Sequence, residues 1–377
     1  VDTTIVRRML SFRSGEVFSQ EDLIRSQSNL FSLEVFNHAS IQPILGAGGD
    51  SVVPVRVRVN EGNIHRVRLG AGLNEADCLN AEGRWTSRNF LGGARRLEVR
   101  GGISNVLASS FGDGFPCSAT GSGIYSELSG SFAVDFTQPW FFSPSNTLGA
   151  GLLVERRSYP EVFVRNVRGG YLSLTRSFGA RTSLSFGFRP ELARLNAEDD
   201  LFFCTNFIAC AESQIQQLKD PHWLAPVSVA YAADRTNAIF TPSRGYVLWM
   251  EAEWASEMTG SDFAYTRVIG DFSHFRQIAR GVVLATHLRP GWARVLDVSG
   301  DAAAVGLNPQ KRFFAGGPNS VRGFAQYRLG PKVLMVDAAD LMEPLDDGWP
   351  GCTAAAVDAG SCDAQPLASA RPSVFTP

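Results

Sequence analysis

Nowhere do eighteen apolar residues run together in this 377-residue chain, so no helix of it is long and apolar enough to cross a membrane. The apolar stretch Ala225–Ala233 is far too short. Charge is also sparse: charged residues make up 19%, lysine is scarce beside arginine, and the net charge of −2 offers no basic field for nucleic acid. The five histidines, His38, His65, His222, His274 and His287, form neither HExxH nor HxH, so a metal-ligand spacing is missing. No G-x-S-x-G elbow marks a serine hydrolase. Gly46-Ala-Gly-Gly49 and Gly70-Ala-Gly72 are glycine-rich, but neither continues into a phosphate loop or a dinucleotide fingerprint. The expectation is a non-enzymatic protein without a cofactor. The chain opens Val1-Asp2-Thr3 rather than with Met and a basic segment, which reads as a fragment boundary or a mature terminus and says nothing in favour of the cytoplasm.

What is abundant is aromatic and small: aromatics reach 11%, with 26 Phe and 37 Gly. The first sixty residues differ from the rest. Ile5, Val6, Met9 and Leu10 mark a short helix ending near Gly15. Ser19-x-x-Asp22 then opens a second helix, with Leu23, Ile24, Leu30 and Phe31 on one face. Strands follow at Ala39–Ile41 and Val53–Val59, the latter alternating Val55, Val57 and Val59 with Arg56, Arg58 and Asn60.

From His65 onward the helical period gives way to alternation. Ile124, Leu128, Phe132, Val134 and Phe136 alternate with Glu127, Ser129, Ser131 and Asp135; Tyr246, Leu248, Met250, Ala252 and Trp254 alternate with Glu251 and Glu253; Leu184, Phe186 and Phe188 alternate with serines and Gly187. Runs of this length, roughly twice an ordinary strand, suit membrane-crossing strands with one face to lipid and one to a wet lumen. Short connections (Gly92-Gly93, Ser143–Asn146, Phe178–Ala180, Thr241–Gly245, Ala279-Arg280) alternate with longer ones (Ser110–Gly123, Asn196–Pro221, and all that follows Trp292). Short turns at one rim and long loops at the other are the asymmetry of an outer-membrane barrel. Trp85 with Phe90, Trp140-Phe-Phe142, Trp249, Trp254 and Trp292 fall where strands cross the interfaces. A soluble β-sandwich would have shorter strands and a polar face richer in Lys and Glu.

The six cysteines, Cys78, Cys117, Cys204, Cys210, Cys352 and Cys362, include no CxxC. With strands counted from Val67, all six fall in connections of one rim. That favours disulfides in an oxidising compartment, with Cys78 able to reach Cys117 across neighbouring loops and the other two pairs local; buried free thiols are the alternative.

Five stretches in order resemble the BamA/TamA superfamily of outer-membrane assembly factors, the bacterial surface antigen family. They are RSGEVFSQEDLIRSQSNLFSLEVFNHASIQP, NFLGG ending at Gly93, SFAVDFTQPWFFSP, AADRTNAIFTPSRGY and FFAGGPNSVRGF. The resemblance implies a mainly β fold: a POTRA domain over residues 1–60 lacking its first strand, then an incomplete transmembrane antiparallel barrel over 61–377, about eleven of sixteen strands, ending in the long sixth extracellular loop. It further implies that Val321-Arg322-Gly323-Phe324, preceded by Gly316-Gly317, folds back into the lumen. There Arg322 would need a carboxylate, carried on strands after this loop, while Phe324 and Tyr327 wedge against the wall. Asp234, Arg235, Asn237, Pro242 and Gly245 match the family's turn, and the first strand, including Val67, Leu69, Gly70 and Gly72, would be the lateral gate.

By the same resemblance, the function is insertion of β-barrel proteins into the bacterial outer membrane, with the N-terminal domain in the periplasm. The implied partners are unfolded outer-membrane clients, outer-membrane lipid and periplasmic or lipoprotein assembly factors. A two-partner secretion transporter on the same scaffold is the alternative. A passive porin should lack the POTRA and VRGF stretches, and an enzyme fused upstream of Val1 is a further arrangement on this fold.

Overall fold

The structure, a computed structural model, describes residues 2–44, 52–74, 77–111, 117, 123–159, 163–179, 181–197, 203, 212–296, 307–317, 320–324, 329, 334–335, 351–353, 355–356 and 371–372. Gly46–Gly49, Cys204, Cys210, Tyr327 and Cys362 lie outside them. The chain divides into two compact units, Val1–Asn196 with Leu218–Ala303, and Ala197–Gln217 with Ala304–Pro377.

The first unit begins with two helices on a two-stranded sheet: α1 (Thr3–Met9), α2 (Gln20–Ser32), β1 (Phe36–Pro43) and β2 (Val55–Glu61). Asp2 caps α1 by accepting the Thr4 N–H at 3.0 Å, and Ser19 caps α2 by accepting from Asp22 at 3.3 Å. Each cap satisfies a donor that the first helical turn leaves without a partner. The two helices are tied by polar side chains: Ser26 Oγ accepts the Ser11 N–H at 2.7 Å, and Asn29 Nδ2 donates to the Met9 carbonyl at 3.0 Å. Ile5, Met9, Leu23, Leu30, Val35, Phe36, Ala39 and Ile41 form the core between the helices and β1.

From His65 onward the unit is one antiparallel meander. Its strands are β3 (His65–Asn74), β4 (Cys78–Ser87), β5 (Arg96–Val106), β6 (Ser129–Gln138), β7 (Asn146–Tyr159), β8 (Phe163–Ser177), β9 (Thr182–Phe188), β10 (Glu191–Asn196), β11 (His222–Leu224), β12 (Val227–Asp234), β13 (Arg244–Ala255), β14 (Tyr265–Ala279), β15 (Val282–Leu288) and β16 (Gly291–Val295). These fourteen segments fill eleven ladder positions, because three pairs are single strands interrupted by proline. Pro190 parts β9 from β10, Pro226 parts β11 from β12, and Pro290 parts β15 from β16. A proline removes one ladder donor, which ordinarily confines it to edges or bulges. Here the register passes through unshifted: Leu172 pairs with Phe188 and Gly169 with Glu191, just as Phe272 pairs with Leu288 and Ile269 with Gly291. The carbonyls beside the breaks stay paired, since Gly170 and Gly270 each donate to the facing proline carbonyl at 2.9 Å.

The register also sorts the side chains. Val67, Leu69, Trp85, Val99, Phe132, Val134, Leu152, Leu172, Phe186, Val229, Met250 and Phe272 share one face. Many are exposed, Leu69 at 82% and Val67 at 63%. Charged and small residues take the other face: Arg84, Glu98, Arg100, Asp135, Glu155, Glu253 and Asp271. A soluble sheet would cover such an apolar face with helices or a second sheet. Aliphatic groups left outward are stable only against an apolar solvent.

One rim carries the connections β4–β5, β6–β7, β8–β9, β12–β13 and β14–β15. On the other, the expected long loops occur at β5–β6 and β10–β11, the second containing α3 (Glu212–Lys219). Two hairpins there are tight, however: Asn74 pairs with Cys78, and Tyr159 with Phe163. The loop rim is fastened in two ways. Cys78 is bonded to Cys117. Arg156 gathers the Glu127 carboxylate at 2.6 Å together with the carbonyls of Ile124 at 3.0 Å and Leu128 at 3.1 Å. Cys352 in the second unit is also disulfide-bonded.

By chain entropy, a bond closing a loop with sequence separation 39 stabilises by roughly 4 kcal/mol. Replacing Cys78 and Cys117 together by Ser is expected to lower the midpoint of heat-induced unfolding, followed by the gel shift of the detergent-held barrel. An unchanged midpoint would show that the polar contacts alone hold this rim.

Candidate functional site

Two turns of the short-turn rim are built as seats for the α/β layer. In the first, Leu91, Gly92, Gly93 and Ala94 all have positive φ (53°, 72°, 77° and 54°). For Leu and Ala that conformation costs about 1–2 kcal/mol each. It is offset by closure of the turn: Asn89 Oδ1 accepts the Ala94 N–H at 2.9 Å, and Phe90 donates to the Arg95 carbonyl at 2.8 Å. In the second turn Trp140, also left-handed at 55°, donates Nε1–H to the Gly93 carbonyl at 2.9 Å. Ala94 is thereby buried in the core of the α/β layer, with Trp140 packed against it and the Arg8 guanidinium 5.0 Å over its ring. Arg88 and Arg96 complete the joint, Arg88 Nη1 donating to the Glu34 carbonyl at 3.2 Å and Arg96 lying 3.5 Å from its carboxylate.

Next to this joint lies β3, which pairs with β4 and has no second neighbour among the described residues. Its apolar-face residues Val67 and Leu69 are exposed. On the polar face, a cross-strand row of like charge runs from it: Arg68 faces Arg84, and Arg84 faces Arg100. Like charges directly opposite destabilise a ladder unless something neutralises them. Asp135 pairs with Arg100 at 3.2 Å and takes a hydrogen bond from the Tyr171 hydroxyl at 2.8 Å. Glu98 lies 3.6 Å from Arg84, 2.8 Å from Arg96 and accepts from Thr86 at 3.3 Å. Arg66 and Arg68, at the end of the row, are exposed and have no ion pair among the described residues. A cavity of about 270 Å³ is lined by Arg66, Arg68, Arg84, Arg88, Arg96 and the two glutamates Glu34 and Glu98, with Thr86 beside them. Gly70 and Gly72 of β3 leave their space to neighbours: a Cβ there would meet Glu82 Oε1 at 3.2 Å and Asn80 Oδ1 at 2.9 Å.

The turn holding Asp234, Arg235, Asn237, Pro242 and Gly245 is a closed polar knot. Asn237 Oδ1 accepts the N–H groups of Ser243 and Arg244, both at 3.0 Å, and Asn237 Nδ2 donates to Ser243 Oγ at 2.9 Å. Asp234 accepts from Thr236 Oγ1 at 2.6 Å. The residue that gathers the knot is Arg181, which donates to Asp234 Oδ2 at 2.6 Å, to the Thr236 carbonyl at 2.7 Å and to Thr236 Oγ1 at 2.6 Å. Reading the sequence singled out Asp234 and missed Arg181. The available signal was its place at the Phe178–Ala180 turn, immediately before β9, the strand that β12 pairs. Gly245 is required here: its φ is +102°, and a Cβ would collide with the Arg235 carbonyl.

The second unit contains the VRGF stretch. Gly316 and Gly317 have φ of 105° and 98° and reverse the chain. Ser320 Oγ both accepts from Gly316 N–H and donates to its carbonyl at 2.9 Å, while Gly317 N–H reaches the Phe324 carbonyl at 2.9 Å. Ala315 and Leu329 close the hairpin by an antiparallel bridge. Upstream, burial pushes the Arg312 guanidinium down to about 10, still cationic at neutral pH. Val321, Arg322, Gly323 and Phe324 form an exposed tip, and Arg322 has no ion pair among the described residues. The enclosed seat that the resemblance implied requires a wall completed by strands after the sixth loop. The strands on which it placed the acidic partner are not among those described.

A comparison with known families decides the lineage, since the Omp85 superfamily domain matches residues 89–359. The chain belongs to this superfamily. It is 21% identical to the outer membrane protein assembly factor BamA of Nitratidesulfovibrio vulgaris over 328 residues, 87% of this chain and 36% of that protein. It is 35% identical to the sorting and assembly machinery component 50 homolog B of Xenopus laevis over 99 residues, 26% of this chain and 20% of that one. Among solved structures, BamA from Haemophilus ducreyi lacking POTRA domains 1-3 superposes with a TM-score of 0.64 at 18% identity, covering 93% of this chain and 61% of that one. CdiB from Escherichia coli superposes at 0.55 with 14% identity, over 86% and 56% of the two chains. The chain therefore spans only part of each of these relatives. The Omp85 fold makes the sheet part of a transmembrane antiparallel β-barrel, eleven ladder positions of the sixteen that the resemblance implied, with the apolar face to lipid and the polar face to the lumen.

Replacing Gly245 by Ala should destabilise this Omp85 barrel by about 2 kcal/mol or more, since the left-handed cost adds to the clash. Arg181→Ala should lower stability comparably by stranding Asp234 and Thr236. Both are read as gel-shift midpoints; midpoints equal to wild type would show the knot to be dispensable.

Proposed function

We propose that this chain is the membrane part of an outer-membrane assembly factor that catalyses no covalent chemistry and inserts β-barrel clients. The α/β layer stands in the periplasm as a POTRA domain, the short-turn rim is the periplasmic one, and the disulfide rim is extracellular. What supports this reading is the α/β layer seated on the two turns of the short-turn rim beside β3, the first strand of the sheet, whose edge serves a client whenever the seam it closes is open. Backbone N–H and C=O groups on such an edge are a template for an incoming strand. A client arriving unfolded can first pair with strand edges of the periplasmic layer, then with β3, so each of its backbone groups is satisfied before it meets lipid. The exposed tip at Arg322 is read as the cation that anchors the sixth loop in the complete barrel, where a carboxylate on a later strand meets it.

The competing reading is export of a client polypeptide through the lumen, and the likeness to CdiB supports only the shared fold. Reconstitution separates the two. Liposomes holding the full-length protein should raise the rate at which an unfolded client barrel becomes heat-modifiable severalfold over empty liposomes, and Arg322→Ala should remove most of that gain with the barrel still folded. No gain with wild type, together with large conductance in planar bilayers when the sixth loop is deleted, would transfer the assignment to secretion.

A further inference from the structure

Four strands inside the sheet carry their lipid-facing rows past the last apolar residue to an arginine at the short-turn rim. On β5 the row runs Val99, Leu97, Arg95; on β8, Leu172, Leu174, Arg176; on β13, Leu248, Tyr246, Arg244; and on β14, Phe272, His274, Arg276. Arg244 and Arg276 face each other across one ladder. None of the four has an ion pair among the described residues. Apolar side chains crown the same turns, with Phe142 exposed at 93% and Phe240 at 94%. Cations and aromatics mixed at the end of an apolar wall suit the depth of lipid head groups, where the stem lies in hydrocarbon and the charge in water.

One of these arginines sits in a built site. A cleft of about 670 Å³ is lined by Arg8, Arg95, Gln138, Trp140 and Phe142, among others, and by no carboxylate of the described residues. Gln138 ends the row Val134, Phe136 on β6, so it stands on the lipid side beside Arg95. Arg95 Nε donates to Gln138 Oε1 at 2.9 Å, which fixes the guanidinium plane and leaves both terminal nitrogens without a protein acceptor among the described residues. Trp140 and Arg95 converge over Gly93, where a Cβ would lie 3.5 Å from the ring and 3.6 Å from Nε. Arg8, from the last turn of α1, stacks on that ring. Two guanidinium groups, one from each layer, therefore share one cleft with no negative charge in it.

We propose that this cleft binds the phosphate of an anionic phospholipid, held by Arg8 and Arg95 together and bridging α1 to the barrel wall. This rests on the assembly reading above only in assigning the lipid to the periplasmic leaflet. Planar guanidinium groups bind phosphate through paired charge-assisted hydrogen bonds, and Trp140 and Phe142 offer apolar surface to the glycerol and upper acyl chains. Arg176, Arg244 and Arg276 extend the same preference along the rim as separate contacts. A lumenal ligand is disfavoured by side, since Arg95 and Gln138 continue the outer rows whereas Arg96 and Thr137 belong to the inner ones. The bound head group sets how firmly the α/β layer rests on its two turns, so the joint responds to the lipid charge around it.

The test titrates the full-length protein in detergent with phosphatidylglycerol or phosphatidylcholine and counts bound lipid by native mass spectrometry. Phosphatidylglycerol should bind on the order of tenfold more tightly, as two arginines near an anionic surface supply. The preference should fall to about twofold or less in Arg8→Gln/Arg95→Gln, be mostly kept in Arg8→Lys/Arg95→Lys, and shrink as salt rises. Arg13→Gln/Arg58→Gln, which removes the same charge at exposed positions outside the cleft, should keep it. Gel-shift midpoints check that every variant is folded. Equal binding of the two lipids, or a loss as large in the Arg13/Arg58 variant, overturns the site. So does displacement of the bound lipid by millimolar inorganic phosphate, which would mark a free-anion site. The leaflet is tested separately with Ser145→Cys, at an exposed position of the same turn, which should react with a membrane-impermeant maleimide only after the outer membrane is opened. Labelling of intact cells would overturn the periplasmic placement and the assembly geometry built on it. Loss of the lipid preference with position 145 protected overturns the cleft alone.

Discussion

Everything in this chain answers to the demand that a backbone facing lipid find all its hydrogen-bond partners within the sheet. The demand explains strands of 14 and 15 residues at β7, β8 and β14, where soluble strands run about half that length. It also explains the handling of the three prolines. Each removes a donor from a ladder, yet none shifts the register, and the glycines facing two of them donate to the proline carbonyls. A shift by one residue would turn aliphatic groups into the lumen and arginines into lipid, so register carries the largest energetic consequence of any local choice in the barrel.

The rims are stabilised by different chemistry because water and polar side chains are available there. On the loop rim a disulfide and the Arg156 cluster restrain long connections. On the turn rim the fastening is polar and local, through Asn89, Asn237 and the Arg181–Asp234–Thr236 knot. Turns that place Leu91, Ala94 and Trp140 in left-handed backbone are costly alone; they persist because Ala94 and Trp140 are absorbed into the core of the α/β layer. The strain and the docking thus have one origin. Neither turn would hold its shape without the layer that covers it.

How much of this was legible from the sequence follows from the range of each signal. Alternation in Leu184–Phe188 or Tyr246–Trp254 reports a two-sided strand directly, because lipid and lumen impose opposite residue types on neighbouring positions. The turn residues Gly92-Gly93 and Thr241–Gly245 were equally plain, since positive φ leaves few choices of residue. Arg181 was not legible: its importance arises from Asp234 and Thr236, more than fifty positions away, through a register that no local pattern encodes. The tight hairpins at Asn74–Cys78 and Tyr159–Phe163 were obscured for the converse reason, since their rim was expected to carry long loops throughout. The Arg68–Arg84–Arg100 row belongs to the same class as Arg181, visible only once three strands are aligned.

That row also explains why a sheet would keep an arrangement that pairwise energetics disfavours. Opposed arginines repel, and two carboxylates restore the balance for the inner two only. The Thr86 and Tyr171 hydroxyl groups donate to the same two carboxylates and hold them within reach of the guanidinium groups. Charge on the polar face is thus balanced across neighbouring strands rather than within a facing pair, and the row persists wherever a carboxylate stands diagonally opposite.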